Sequence, residues 1–162
     1  MKRLAIALLL LSVAMQAQIT RRAPGFSLPD VTYKQYDLAD YRGKVVLIDI
    51  IQTGCPKCIE LTRSLTEVKQ KYGDKVQVLT IVTLPDSPQT INAYTQRYGV
   101  RNPVLLDCGQ VIGSYLGLTP QNPSVHFPHL FVIDKLGNIR RDLDETQVTM
   151  TNIVGAIESA LK

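Results

Sequence analysis

The sequence has no tryptophan, two histidines, three cysteines and no dense run of lysine and arginine. Without a basic run, and with a formal net charge of +4, the chain lacks the signature of a nucleic-acid-binding protein. Three cysteines are too few for a small scaffold held together by several disulfides. A structural zinc site usually brings a second closely spaced ligand pair, and here the other candidates, Cys108, His126 and His129, are scattered. We therefore predict no cofactor, no metal and no nucleic-acid partner.

The size of the chain indicates one domain. It has 162 residues, of which 45% are apolar and 20% charged, as in ordinary soluble globular proteins. A chain of this length buries a core without needing disulfides. We find no repeat, low-complexity segment or internal boundary, and we predict one monomeric domain over residues 18–162.

The N-terminus predicts export. Lys2 and Arg3 precede an apolar run over residues 4–13, and small residues follow near Ala14 and Ala17. This is the pattern of a secretory signal peptide, which we place at residues 1–17. The run is shorter than the roughly 20 apolar residues that span a membrane, so an uncleaved anchor is the lesser alternative. We predict a periplasmic location, where disulfides persist.

The hydrophobic pattern alternates between strands and helices. Buried apolar runs predict strands, and runs with helical spacing that end at glycine predict helices. The predicted strands are 45–51, 76–82, 104–106, 130–133 and one from 139, after short extended pieces within 26–41. The predicted helices are 56–72, 88–98, 111–116 and 146–161, with a loop over 117–128. This order fits one α/β sheet with helices on both faces.

Two cysteines separated by two residues follow the first buried strand. Cys55 and Cys58 enclose Pro56 and Lys57 at the predicted start of a helix. The helix N-terminus and the nearby cation favour a thiolate, so Cys55 is predicted to be the attacking nucleophile. Cys58, one turn into the helix, is predicted to be less exposed and to resolve a mixed disulfide.

Asp49 and Pro128 are the next candidates. Asp49 interrupts the apolar strand six residues before Cys55. If strand alternation turns it inward, burial raises the pKa of its carboxyl, which can then take a proton from Cys58. The alternative is an outward aspartate or one bound by a backbone amide.

Pro128 precedes a strand. A cis bond there would face the cysteines and present backbone groups to an extended substrate. The simpler alternative is that the proline only ends the loop.

Cys108 and His129 carry weaker signals. Cys108 follows the short strand and is open to three interpretations: a third redox thiol, a metal ligand or, as we favour, an inert thiol of the buried kind. His129 follows Pro128 and is open to three interpretations: a group that tunes the Cys55 thiolate, a metal ligand or a structural histidine. His126 is predicted to be a loop residue.

These segments resemble the thioredoxin-like superfamily. Residues 45–58 (VVLIDIIQTGCPKC) are similar to its active-site strand and motif, and residues 128–138 (PHLFVIDKLGN) to its proline, strand and hairpin segment. Residues 23–28 (APGFSL), 98–100 (YGV) and 103–107 (PVLLD) are similar to the exported TlpA/ResA-type and peroxiredoxin-related branch. The resemblance implies a thioredoxin fold, a central mixed β-sheet with helices on both faces and an N-terminal β extension.

The resemblance also implies roles. It makes Cys55 the nucleophile, Cys58 the resolving thiol, Asp49 the buried carboxylate and Pro128 a cis proline. Proteins of this branch reduce disulfides in exported partner proteins. The chain departs from the family pattern at Ile51 and Gly54, where tryptophan is common, and at Leu61 and Arg63, where glutamate and proline are common. These departures bear on the substrate and on the redox potential.

We predict a thiol–disulfide oxidoreductase that reduces protein disulfides and takes electrons from a membrane thiol donor. The first alternative is a peroxiredoxin-type peroxidase, whose Thr or Ser three residues before the cysteine is replaced here by Gln52, with Thr53 one residue late. The second is a copper chaperone of the SCO type, whose cysteines are spaced CxxxC and not CxxC.

Overall fold

A computed structural model describes residues 21–162 of the chain, and the predicted signal peptide at 1–17 lies outside them. Within this range, a six-stranded mixed sheet has the order β1-β8-β7-β4-β5-β6, and β2 and β3 form a separate hairpin. The strands are β1 Arg21–Arg22, β2 Ser27–Pro29, β3 Gln35–Asp37, β4 Val45–Ile50, β5 Val76–Thr83, β6 Val104–Asp107, β7 His129–Ile133 and β8 Asn138–Leu143. The helices are α1 Pro56–Tyr72, α2 Pro88–Tyr98, α3 Gln110–Leu116 and α4 Met150–Leu161.

Strand β4 lies in the middle of the sheet because its apolar residues can be covered on both faces. All six of its residues are buried. It pairs in parallel with β5 and antiparallel with β7, and β5 pairs in parallel with β6. The ends of β4, β5 and β6 and the start of β7 therefore meet at one edge. We call this the carboxyl edge; it comprises residues 51–55, 84–87, 108–109 and 127–128.

Two apolar cores lie on the two faces of the sheet. On one face, α1 and α4 cover alternate residues of β4, such as Val45 and Leu47. On the other, α3 and the β2–β3 hairpin cover Val46 and Ile48, with Phe131 of β7 at the centre. The predicted mixed sheet with helices on both faces and an N-terminal β extension is thus confirmed. None of the helices within residues 21–162 combines the length and hydropathy needed to cross a bilayer.

The bounds predicted for α1 and α2 are confirmed at both ends. Each helix has proline in its first turn, where the missing N–H leaves no bond unmade. Each ends at a glycine with a positive φ, 55° at Gly73 and 65° at Gly99, a backbone conformation that glycine adopts without a steric penalty.

Strand β1 was not predicted, and one predicted helix start was wrong. Arg21 and Arg22 form β1, which pairs with β8, and both are exposed. Helix α4 begins at Met150 and not at 146. Asp144 Oδ1 accepts bonds from the backbone N–H and the hydroxyl of Thr146, at 2.8 and 2.6 Å, and this turn competes with the helix.

The N-cap of α4 provides a stability test. Thr149 accepts a bond from the backbone N–H of Asn152 at 3.3 Å. We expect Thr149→Ala to lower the free energy of unfolding by about 1 kcal/mol, because one N–H at the helix start loses its partner. Urea unfolding measures the change. The control is Thr151→Ala, an exposed position inside the first turn; an equal loss in both variants would contradict a specific capping role.

Candidate functional site: a dithiol at the carboxyl edge

Cys55 and Cys58 lie where β4 leaves the sheet and α1 begins. Cys55 is the N-cap of α1 in an extended conformation, and Cys58 lies in the first turn, with Cα atoms 5.2 Å apart and the two sulfurs bonded as a disulfide. Cys58 is fully buried, whereas Cys55 is half-buried beside the exposed Pro56 and Lys57. A partner molecule can therefore reach the Cys55 sulfur and not the Cys58 sulfur.

Three features set the charge preference of Cys55. The backbone N–H of Cys58 donates to Cys55 Sγ at 3.2 Å, and no acidic residue occupies the first turn of α1. This N–H and the helix dipole favour a thiolate once the disulfide is open. On the opposite side, the carbonyl oxygen of Phe127 lies 3.8 Å from Cys55 Sγ, where it can accept a bond only from the protonated thiol.

Pro128 places that carbonyl. The Phe127–Pro128 peptide bond is cis, and Pro128 is buried at the start of β7. Because β7 runs antiparallel to β4 and is paired with it, the segment before β7 lies at the carboxyl edge beside the cysteines. The structure thus brings Pro128 and the Cys55–Cys58 pair together.

Asp49 is buried on the face of β4 that α1 covers. It has 1% of its surface exposed, and in register it lies between Thr80 of β5 and Leu130 of β7. Burial raises the pKa of its carboxyl to about 7, although a hydrogen bond from Thr80 Oγ1 at 3.1 Å acts in the opposite direction. Ile51, two residues along on the same face, packs in one cluster with Cys58. The carboxyl is therefore close below the dithiol and able to hold a proton near neutral pH.

Sequence reasoning missed Asp86, which follows β5 at the carboxyl edge. Its carboxylate accepts bonds from the backbone N–H of Thr53 at 3.0 Å, from the Thr53 hydroxyl, and from the Thr90 hydroxyl at 3.0 Å. It thereby ties the loop before Cys55 to the start of α2. The available signal was its place in the chain, since the loop after a buried parallel strand lies at the same edge as Cys55.

His129 and Cys108 are the two candidates with the weaker sequence signals. His129 Nδ1 is 3.1 Å from Asp142 Oδ1, and its ring stacks on Phe131, on the sheet face opposite to Asp49. Cys108 is a free, exposed thiol at the carboxyl edge, so the expectation of a buried thiol was wrong. The neighbouring Asp107 turns inward instead and accepts the N–H groups of Val111 and Ile112 at the start of α3. His126 is an exposed loop residue, as predicted.

Metal ligands are not grouped at this site. Within residues 21–162, no three side chains of His, Cys, Asp or Glu are placed to hold one ion.

The family of the chain follows from comparison with known proteins. Residues 19–142 match the AhpC/TSA family. The chain belongs to the AhpC/TSA family. A curated relative is the thiol-disulfide oxidoreductase ResA of Bacillus thuringiensis (strain Al Hakam). It is 30% identical over 123 residues, which cover 75% of this chain and 67% of ResA. ResA of Geobacillus thermodenitrificans is 30% identical over 141 residues, 85% of this chain and 75% of that one.

A solved structure agrees with the fold. The thiol:disulfide interchange protein of Chlorobium tepidum superposes with a TM-score of 0.72 at 20% identity, over 88% of this chain and 97% of that one. This AhpC/TSA-family chain is thus a thioredoxin-like protein of the TlpA/ResA type. With the paired Cys55 and Cys58 at its helix start, it is a thiol–disulfide oxidoreductase.

The buried carboxyl predicts a pH-dependent stability difference. The pKa of Asp49 is raised in the folded protein, so its contribution to stability is full below the unfolded pKa, near 3.8, and is lost as the pH rises toward 7. We expect Asp49→Asn to match the parent near pH 4.5 and to exceed it at pH 8 by roughly 3–4 kcal/mol in free energy of unfolding. Urea unfolding of the parent and of the variant, each with its disulfide closed, measures this difference at the two pH values.

The matched control for that experiment is Asp144→Asn. The pKa of Asp144 is lowered below its ordinary value of 3.8 by hydrogen bonds from Thr146, so the stability difference of its variant should stay nearly constant from pH 4.5 to 8. If the Asp49→Asn difference stayed the same from pH 4.5 to 8, the carboxyl would not titrate there and the assignment would fail.

Proposed function

We propose that this protein reduces disulfides in exported proteins through a two-step exchange at Cys55 and Cys58. The single observation that carries the proposal is the asymmetry of the pair, with one reachable sulfur at a helix N-terminus and one fully buried sulfur beside a protonatable carboxyl. The ResA relatives are named thiol-disulfide oxidoreductases, which is consistent with this activity.

In the first step, the Cys55 thiolate attacks one sulfur of the substrate disulfide. A bond forms between Cys55 and that sulfur, and the other substrate sulfur leaves as a thiolate. The half-buried position of Cys55 and the N–H of Cys58 at 3.2 Å support its role as the nucleophile. The cis Pro128 segment supports a backbone surface for an extended substrate beside Cys55.

In the second step, the Cys58 sulfur attacks Cys55 and releases the second substrate thiol. Cys58 must first lose its proton, and Asp49 is the acceptor we assign. The pKa of Asp49, about 7, suits a group that takes and returns a proton near neutral pH. The protein ends oxidised, with a disulfide between Cys55 and Cys58, and the substrate ends with two thiols.

The charge balance around Cys55 supports a reductant and not an oxidant. A strong oxidant stabilises its thiolate, because this stabilises the reduced state. Here one N–H donates to Cys55 Sγ, and the Phe127 carbonyl favours the protonated thiol. Lys57 is exposed and its charge is screened by solvent.

The place of action is proposed from residues 1–17. Their basic start and apolar run support export to the periplasm, with cleavage near residue 17 or retention as an anchor. A reductant in an oxidising compartment needs a source of electrons, for which we propose a membrane thiol protein. We propose a monomer over residues 18–162.

A peroxidase is the second candidate, because residues 23–28 and 103–107 resemble the peroxiredoxin-related branch. One contact argues against it: the Thr53 hydroxyl is bound to the Asp86 carboxylate, so it does not serve the Cys55 sulfur. Hydrogen peroxide turnover by the reduced protein, compared with turnover of a protein disulfide, separates these activities.

The order of the two steps predicts a trapped intermediate. We expect Cys58→Ser to accumulate a mixed disulfide with a protein substrate through Cys55, because the resolving sulfur is absent. Non-reducing electrophoresis and mass spectrometry of the linked peptides identify the sulfur used. Cys55→Ser is expected to trap nothing, and Cys58→Ser combined with Cys108→Ser to trap as much as Cys58→Ser alone. A trap that disappears with Cys108 would refute the assignment.

The direction of electron flow predicts the reduction potential. We expect the Cys55–Cys58 pair to equilibrate near −270 mV, as in thioredoxin-like reductants. The measurement uses a glutathione or dithiothreitol redox buffer and a chain starting near residue 18. Cys108→Ser is included so that only the Cys55–Cys58 pair exchanges with the buffer. A value near −120 mV would make the protein an oxidant and overturn the proposed direction while leaving the dithiol assignment intact.

A further inference from the structure

A chain of three polar side chains crosses the buried interior below the dithiol. Asn102 Nδ2 donates to Thr80 Oγ1 at 2.9 Å, and Thr80 Oγ1 donates to Asp49 Oδ2 at 3.1 Å. Asp49 is 1% exposed and Thr80 2% exposed, whereas Asn102 is half-buried and lines a surface cavity of about 690 Å³. The chain thus joins the proton-holding carboxyl to the end of the sheet opposite to the cysteines.

The direction of these bonds follows from what each group can do. A second bond from Asn102 Nδ2, to the carbonyl of Pro103 at 3.2 Å, fixes the amide orientation because a carbonyl only accepts. The amide nitrogen therefore donates to Thr80, whose oxygen must accept. A hydroxyl has one proton, so Thr80 gives its proton to Asp49.

The two oxygens of Asp49 are consequently different. Oδ2 accepts the Thr80 hydroxyl, whereas Oδ1 is buried and has no hydrogen-bond partner among residues 21–162. A buried oxygen without a partner is costly unless it can take a proton. Oδ1 is therefore the oxygen that favours protonation.

We propose that Thr80 and Asn102 are positioning residues that hold Asp49 with Oδ2 occupied and Oδ1 free to take the proton of Cys58. This inference rests on the proposed function, in which Asp49 receives that proton. Neither residue touches substrate. Thr80 acts by stabilising the carboxylate, and Asn102 acts by keeping the Thr80 proton directed at Oδ2.

Other ionisable groups lie in the same part of the core as Asp49. Tyr94 of α2 is close enough for the Asp49 charge to affect its pKa, and its hydroxyl is bound to that of Thr62. Cys58 of α1 packs in one cluster with Tyr94 and Ile51. Burial raises the pKa of Tyr94, so this phenol stays protonated throughout the neutral range. Leu130 of β7 is apolar. In the disulfide form Cys58 does not titrate, so a midpoint near pH 7 at this position reports the Asp49 carboxyl.

The test is a direct titration of Asp49 in the disulfide form by carboxyl carbon-13 NMR. We expect Thr80→Val, which keeps the side-chain shape and removes the donor, to raise the midpoint by about one pH unit. Asn102→Ala should raise it by less, because the Thr80 hydroxyl remains but is no longer oriented. Thr80→Ser keeps the hydroxyl donor and should therefore keep the midpoint of the parent. Thr83→Val, on the same strand but away from Asp49, is the matched control and should change nothing.

A second readout follows the proton through the reaction. In variants that keep Cys58, the pH midpoint for resolution of the mixed disulfide should move upward together with the NMR midpoint. A merely structural role would change the rate at every pH without moving the midpoint.

An unchanged midpoint in Thr80→Val, or in Asn102→Ala, would overturn the proposal. If Thr80→Val fails to fold, Asn102→Ala at its half-buried position decides the question alone. The titration needs no substrate, so its result is independent of the proposed function. Shifted midpoints in a protein that reduces no disulfide would support the positioning chain and refute the reductase.

Discussion

The pairing of β4 on both edges and its burial on both faces is the constraint on which the site depends. Because β4 is parallel to β5 and antiparallel to β7, its carboxyl end meets the loop after β5 and the segment before β7. Cys55, Asp86 and Pro128 come from sequence positions far apart, and they share one edge only through this pairing. A slip of β4 by one residue would also turn Asp49 to the opposite face, away from α1.

The α1 N-terminus adds the second requirement. The chain leaves β4 and starts a helix within a few residues, so the first cysteine becomes an N-cap and the second falls in the first turn. The same geometry that closes a short disulfide makes the two sulfurs unequal in exposure. Asp86 stabilises this tight connection by accepting both the N–H and the hydroxyl of Thr53, so the loop before Cys55 is bound to α2 as well as to β4.

Local patterns predicted the elements that local forces determine. Proline in the first turn and glycine at the end set the bounds of α1 and α2, and an unbroken apolar run placed β4 at the centre of the sheet. The start of α4 was missed because the Asp144 turn uses backbone groups that a helix would need. The Asp86 clamp and the outward Cys108 depend on contacts between distant segments, which no local spacing encodes.

Asp49 and Asp86, two of the buried acids, show how the surroundings of a carboxyl group determine its role. Asp86 accepts three hydrogen bonds, from donors on two segments, and such a carboxylate serves as a clamp. Asp49 accepts one bond and keeps an oxygen without a partner among the described residues, which favours uptake of a proton. The cost of burying Asp49 is therefore not a defect of the fold. In the mechanism we propose, it is the property that lets a carboxyl in the core exchange a proton with Cys58 near neutral pH, while the Thr80 hydroxyl stabilises the ionised form.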